Sequence, residues 1–106
     1  MSEKTIMLVC AAGMSTSMLV QKMQEAAEKQ NLDREIFAVS TTEADQKIEN
    51  DNIDILLLGP QVRFKKDEYT KKCLEKQIPV EVIEMRDYGT MNGERVLKTA
   101  EQLMTK

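Results

Sequence analysis

Residues 5–17 read TIMLVCAAGMSTS, an apolar run followed by one cysteine and then by small and hydroxylated residues. The apolar run at 5–9 predicts a buried strand, because a strand inside a parallel sheet is covered on both faces and needs no polar alternation. The small residues after Cys10 predict a tight turn, and the residues beyond position 17 repeat with the period of an amphipathic helix. This strand–turn–helix unit predicts the first step of an α/β fold.

The rest of the chain repeats the same unit. Apolar runs predict further strands at 35–39, 53–58 and 80–83, and amphipathic segments predict helices at about 17–30, 41–49, 65–76 and from 93 or 94 onward. The apolar face of the first helix is expected to carry Leu19, Met23, Ala26, Ala27 and Gln30. Because strands alternate with helices, we expect one parallel sheet with right-handed crossovers and helices on both faces, with the strand at 35–39 at an edge.

The composition restricts the class of function. The chain has 106 residues, which suits one domain over residues 1–106, and its 15 basic and 18 acidic residues give a net charge of −3. That balance argues against nucleic acid, whose binders need a concentrated positive face. No apolar run approaches the roughly 20 residues of a membrane span, and the N-terminus lacks the features of a signal peptide. We therefore expect a cytoplasmic protein that does not itself span a membrane.

Histidine is absent from the sequence. This removes imidazole metal ligands, Cys–His and Ser–His–Asp catalysis, and phosphohistidine on this chain. We expect neither a metal nor a cofactor, and any histidine chemistry must come from a partner protein.

Cys10 lies where an open α/β sheet binds its ligands, beyond the carboxyl end of a strand. The backbone N–H groups of a small-residue turn can form an anion-binding nest, and the N-terminus of the following helix points its free donors at the same place. Such donors favour the thiolate of a nearby cysteine and stabilise a transferring phosphoryl group. We therefore predict that Cys10 is a nucleophile. The predicted phosphate cradle comprises Ala11, Ala12, Gly13, Met14, Ser15, Thr16 and Ser17.

Several kinds of cysteine chemistry fit this site. Low-molecular-weight tyrosine phosphatases use a Cys-x5-Arg-Ser loop, but Thr16 stands at the arginine position, so the guanidinium that grips phosphate is missing. Asp87 is a conceivable general acid for hydrolysis. Thiol–disulfide exchange needs a resolving cysteine, whereas we expect Cys73 to pack with Tyr69 on the apolar face of a helix. A phosphoryl carrier fits best, and a phosphohydrolase or a non-catalytic anion-binding regulatory module stays open.

The sequence resembles the IIB component of the phosphoenolpyruvate-dependent sugar phosphotransferase system (PTS), in its lactose/cellobiose/chitobiose family. The resemblance rests on the stretch 10–17 after an apolar strand, on the sequence LLLGPQ at 56–61, and on VEVI at 80–83 followed by Tyr88 and Gly89. It covers essentially the whole chain. One departure is Glu84, which stands where an aspartate is expected in this family.

The resemblance implies a four-stranded parallel sheet in the order 2-1-3-4, similar to that of the low-molecular-weight phosphatases. It also implies that Cys10 takes a phosphoryl group from a phosphohistidine of the IIA protein. The group would then pass to a sugar imported through the membrane component IIC, such as the β-linked disaccharides cellobiose or diacetylchitobiose. Gly59, Pro60 and Gln61 are expected in a loop at the rim of the site, with Tyr88 in the next loop.

Overall fold

The computed structural model describes residues 4–10, 14–50 and 52–104, with the side chains of Met14 and Ser15 left undescribed. Strands and helices alternate along these ranges. The strands are β1 (Lys4–Cys10), β2 (Arg34–Ser40), β3 (Ile55–Leu58) and β4 (Val80–Val82). The α-helices are α1 (Met14–Lys29), α2 (Thr41–Asn50), α3 (Lys66–Leu74), α4 (Met85–Gly89) and α5 (Gly93–Met104). A 3-10 helix spans Pro60–Lys65.

The four strands form one parallel sheet in the order β2-β1-β3-β4. This confirms the predicted order, with β2 at one edge and β1 and β3 at the centre. Across the described residues, none of the helices combines the length and the apolar character that crossing a bilayer requires.

Each face of the sheet carries its own hydrophobic core, because successive residues of a strand point to opposite faces. Ile6 and Leu8 of β1 pack with residues of α1, α4 and α5 on what we call the first face. Met7 and Val9 pack with residues of α2, α3 and the 3-10 helix on the second face. Helices therefore cover both faces, as predicted.

On the first face, α5 begins in direct contact with α1. A Cβ atom added to Gly93 would lie 2.5 Å from the backbone of Lys22 and Met23. Only a glycine allows the two helices to approach this closely. The contact fixes where α5, and the chain that leads into it, lies over the sheet.

Several predicted boundaries need correction. Helix α1 begins at Met14, not near residue 17, and it ends at Lys29, so that Gln30 is exposed and does not belong to the apolar face. Strand β3 begins only at Ile55, and the preceding Asp54 already contacts β1: its N–H donates to the carbonyl oxygen of Thr5 at 2.9 Å, and its Oδ2 accepts the Thr5 N–H at 2.7 Å.

Two predicted loops are helical. Residues 60–65 form the 3-10 helix, which begins at Pro60, a residue suited to a first helical turn because it has no N–H to satisfy. Tyr88 and Gly89 end the short helix α4. Five residues are too few to show a helical period in the sequence, which explains why α4 was predicted as a loop.

Candidate functional site

Cys10 is the last residue of the central strand β1 and is buried, with 2% of its surface exposed. Its register partner on β2 is Ser40, the last residue of that strand. Alternation along β1 places Cys10 on the first face, together with Ile6 and Leu8. The thiol therefore lies at the carboxyl end of the sheet, where the sequence placed it.

Gly59 lies directly beside Cys10. It follows β3, and its N–H donates to the carbonyl oxygen of Val9 at 2.9 Å. A Cβ atom on Gly59 would lie 3.7 Å from the Cβ of Cys10 and 3.0 Å from Oε1 of Gln61. Gly59 and Cys10 are thus neighbours at the carboxyl end of the sheet, and a side chain at position 59 would first meet that of Gln61.

The N-terminus of α1 lies four residues after Cys10 along the chain. This helix has 16 residues and carries no acidic side chain in its first turn. The N-terminal end of a helix favours an anion through its N–H donors and its positive dipole end, and this first turn contributes no carboxylate that would oppose it. Ala11, Ala12 and Gly13 of the predicted cradle lie outside the described residues, as do the side chains of Met14 and Ser15, while Ser17 is exposed.

Thr16 and Tyr88 meet inside the protein. Their side-chain oxygens Oγ1 and OH are 3.1 Å apart in a buried hydrogen bond. Thr16 is 1% exposed and Tyr88 is 8% exposed. Tyr88 therefore reaches from α4 to the first turn of α1, a link that joins residues 72 positions apart and that no local sequence pattern could have predicted.

Pro60 and Gln61, the other two residues predicted at the rim of the site, differ in their surroundings. Pro60 is buried, whereas Gln61 is exposed and its Oε1 lies next to Gly59. Further along the same 3-10 helix, the ring of Phe64 is 74% exposed. Phe64 was not predicted as part of the site, although an aromatic residue between Arg63 and Lys65 is a sequence signal for an exposed apolar side chain.

Three exposed apolar side chains lie on elements that start at the carboxyl end of the sheet. Phe64 is on the 3-10 helix after β3, Met85 is the first residue of α4 after β4, and Met18 is one turn into α1. Met18 and Met85 are 56% and 66% exposed. We call these three residues the apolar rim. Contiguous exposed apolar surface marks sites that bind other proteins, so these three residues are candidates for such a surface at this end of the sheet.

Asp87, the predicted candidate for a general acid, contacts α5. Its buried carboxylate is 3.5 Å from Nε of Arg95, which makes an ion pair between α4 and α5. Both residues line a cavity of about 270 Å³, together with Glu81, Glu84 and Thr99, and Cys10 is not among its lining residues. The structure thus engages the carboxylate of Asp87 in an ion pair with Arg95.

Cys73 lies on the second face, in α3, and is fully buried beside Tyr69. Burial raises the pKa of the Cys73 thiol, because the apolar surroundings disfavour its charged form. The neutral thiol acts as a small apolar side chain. This agrees with the packing role predicted for Cys73.

The chain matches a known protein family. Residues 5–99 match the family model described as "PTS system, Lactose/Cellobiose specific IIB subunit". The chain is 51% identical over 107 residues to the galactose-specific EIIB component of a PTS system from Lactococcus lactis subsp. cremoris (strain MG1363), with 98% of this chain and 99% of that protein covered. Its identity to the cellobiose-specific EIIB component from Lactococcus lactis subsp. lactis (strain IL1403) is also 51%, with the same coverage.

A solved structure agrees with the sequence matches. The solution structure of the cellobiose-specific phosphotransferase IIB component from Borrelia burgdorferi superposes with a TM-score of 0.78 at 41% sequence identity. The superposition covers 98% of this chain and 94% of that one.

Proposed function

Because this chain belongs to the family of lactose/cellobiose-specific IIB subunits of the PTS, we propose that Cys10 carries a phosphoryl group from the IIA protein to a sugar. The family match confirms the resemblance predicted from the sequence. IIB subunits of this type act as phosphotransferases in sugar uptake. The position of Cys10, at the carboxyl end of β1 and before the N-terminus of α1, is the observation that carries the proposal.

The proposed reaction has two displacement steps at phosphorus. In the first, the thiolate of Cys10 attacks the phosphohistidine of IIA, an S–P bond forms, the N–P bond breaks, and its electron pair returns to the imidazole nitrogen. In the second, a hydroxyl oxygen of the sugar attacks the phosphocysteine, an O–P bond forms and the S–P bond breaks. The sugar hydroxyl loses its proton to a base of the sugar-bound complex, and the thiolate is restored.

The first turn of α1 supports both steps. Phosphoryl transfer spreads negative charge over three oxygens, so its catalysis consists mostly of positioning and of fixed positive potential. The N-terminus of a 16-residue helix without an acidic residue in its first turn supplies such potential. We assign the phosphate cradle to residues 11–17, with the backbone N–H groups as the main donors. Gly59 adds no side chain beside Cys10, so it does not crowd the phosphoryl group further.

Hydrolysis, the alternative suggested by the phosphatase pattern, is disfavoured by two observations. Thr16, at the position of the phosphatase arginine, is buried and bonded to Tyr88. Asp87, the conceivable general acid, forms an ion pair with Arg95. A phosphocysteine here would therefore lack both the arginine and the acid that a phosphatase uses, which favours a carrier that keeps its phosphoryl group until a partner arrives.

The proposed partners are the IIA protein, which donates the phosphoryl group, and the IIC component, which holds the sugar. Both must reach the buried thiol of Cys10 from the carboxyl end of the sheet. We propose the apolar rim formed by Met18, Phe64 and Met85, on elements that start at this end of the sheet, as the docking surface, since methionine side chains adapt to more than one partner. We place these events in the cytoplasm and assign residues 1–106 to one IIB domain.

The proposed sugar is a β-linked disaccharide such as cellobiose or diacetylchitobiose. The relatives named above carry different specificities, galactose for one and cellobiose for the other, at the same 51% identity. The sequence of a IIB subunit therefore discriminates weakly between sugars. This agrees with a division of labour in which IIC, and not IIB, encloses the sugar.

The test is to incubate the protein with phosphoenolpyruvate, the general PTS proteins and a matching IIA, and to locate the phosphoryl group by mass spectrometry. We expect one phosphoryl group on Cys10, absent in Cys10→Ser and retained in Cys73→Ser. Label on any other residue would contradict the proposal. Turnover of para-nitrophenyl phosphate by the unmodified protein would instead support the hydrolase.

A further inference from the structure

We propose that Tyr88 is a positioning residue for phosphoryl transfer, acting on the first turn of α1 through its buried hydrogen bond to Thr16. This inference rests on the proposed function of Cys10. It gives Tyr88, predicted only as a rim residue, a defined role, although its side chain is not required to touch the phosphoryl group.

Tyr88 is held firmly enough to act as an anchor. Its ring belongs to the core of the first face, and its N–H donates to the carbonyl oxygen of Glu84 at 2.9 Å. The next part of the chain is held as well, because the N–H of Asn92 donates to the carbonyl oxygen of Asp87 at 2.9 Å. Asp87 in turn pairs with Arg95 of α5. The hydroxyl of Tyr88 thus projects from a segment that is fixed on both sides.

Thr16 lies in the first turn of α1, which carries the N–H groups proposed to bind the phosphoryl group. It is the third residue of the helix, within the first turn, whose N–H groups have no partner inside the helix. A hydrogen bond to Thr16 therefore restricts the turn that carries the anion-binding donors. Thr16, Tyr88 and, by strand alternation, Cys10 all belong to the first face of the sheet.

The role follows from the sensitivity of transfer reactions to geometry. A displacement of about 1 Å in a positioning group can cost up to roughly a hundredfold in rate, so a turn that carries the donors must be held in place. The first turn of a helix has fewer backbone hydrogen bonds than its interior. The contact between Thr16 and Tyr88 supplies a side-chain constraint at that point.

Tyr69 provides a matched control. It is the other tyrosine of the chain, it is also buried, and its hydroxyl donates to the carbonyl oxygen of Thr41 at 3.4 Å. It lies in the core of the second face, away from Thr16. Tyr69→Phe and Tyr88→Phe therefore each remove one buried hydroxyl, but only the second removes a contact with the first turn of α1.

The experiment measures single-turnover phosphorylation of Cys10 by phosphorylated IIA over a range of IIA concentrations. We expect Tyr88→Phe and Thr16→Val each to lower the maximal rate about fivefold to tenfold, with the half-saturating concentration of IIA unchanged. The double variant should be no slower than either single variant, and Thr16→Ser should lose less rate than Thr16→Val because it keeps the hydroxyl that bonds Tyr88. Tyr69→Phe should transfer at the wild-type rate.

A wild-type rate for Tyr88→Phe, or an equal loss in Tyr69→Phe, would overturn the inference and leave the phosphocarrier function intact. A multiplicative loss in the double variant would also overturn it, because the two hydroxyls would then act separately. If the wild-type protein acquires no phosphoryl group on Cys10, the proposed function fails and the inference fails with it. Phosphorylation of the wild-type protein on Cys10 therefore separates a failure of the Tyr88 inference from a failure of the proposed function.

Discussion

The two cysteines of this chain are almost equally buried, yet they lie in very different surroundings. Cys10 is 2% exposed and Cys73 is 0% exposed. Cys10 ends a central strand beside Gly59 and is followed by the N-terminus of α1, whereas Cys73 lies within α3 and packs against the second face. The difference between them is in the backbone groups around the thiol and not in its exposure.

This comparison shows how an α/β sheet separates packing from chemistry. Beyond the first turn of a helix, as at Cys73 near the end of α3, the N–H groups are paired within the helix and the thiol fills space in the core. At the carboxyl end of a parallel strand, the chain leaves the sheet and a helix begins, and the N-terminus of that helix offers N–H donors that an anion can bind. Substitutions at the two cysteines and at the residues around them test this difference in surroundings.

The largest expected effect comes from removing each thiol in turn. Cys10→Ala should abolish phosphorylation by IIA, because the nucleophile is lost. Cys73→Ala should retain the wild-type rate and lower the free energy of unfolding by about 1 kcal/mol, since it removes one buried atom from the second core. Both expectations are checked by measuring the rate of phosphoryl transfer and the chemical denaturation of each variant. A slower transfer in Cys73→Ala would contradict a packing role for Cys73.

The second prediction concerns the reactivity of the two thiols in the native protein. At neutral pH, Cys10 should be alkylated by iodoacetamide roughly a hundredfold faster than Cys73, because burial raises the pKa of Cys73 and so lowers the fraction of its reactive thiolate. Peptide mapping after timed alkylation gives the two rates. Equal rates would show that the surroundings of Cys10 do not activate it.

The third prediction uses the space beside Cys10. In Gly59→Ala, the added methyl group would meet Oε1 of Gln61, the end of an exposed and flexible side chain, so we expect the thermal stability to change little. The methyl group would also lie next to Cys10, where it should slow transfer from IIA about tenfold by displacing the phosphoryl group. Gly93→Ala is the contrasting variant, because it clashes with the backbone of α1 and should lower stability. A normal transfer rate in Gly59→Ala would argue against a phosphoryl group in that space.

The fourth prediction tests the apolar rim with a matched pair. Phe64 and Leu74 are 74% and 71% exposed, but Phe64 follows the carboxyl end of β3 and Leu74 ends α3 at the opposite end of the sheet. Phe64→Ala should raise the half-saturating concentration of IIA about fivefold, and Leu74→Ala should leave it unchanged. Equal effects of the two substitutions would place the docking surface elsewhere.

The smallest expected effect is a dependence of stability on pH. The ordinary pKa of a cysteine thiol is 9.0, and burial raises the pKa of Cys73 above it. Above that pH, the unfolded chain loses this proton while the folded protein keeps it, so the free energy of unfolding falls as the pH rises. Denaturation of the wild type and of Cys73→Ala between neutral and alkaline pH should show a shallower decline in the variant. Parallel declines would contradict a raised pKa.

The sequence by itself determined the fold class and the candidate nucleophile, Cys10. The alternation of strands and helices could be predicted from the apolar runs and the amphipathic segments, because hydrophobic periodicity is a local property of the sequence. Cys10 could be identified because a parallel sheet places its site at the end of a strand, whatever the details of packing. The family resemblance supplied the strand order, and the structure agrees with it.

Only the tertiary structure decided how the parts of the site hold one another. The hydrogen bond between Thr16 and Tyr88, the space at Gly59 beside Cys10 and the pairing of Asp87 with Arg95 join separate elements. Such contacts depend on how helices lie over a sheet, and no local pattern encodes that arrangement. The short helix α4 was missed for a related reason: its position is set by the burial of Tyr88 and Asp87 and not by a period of its own.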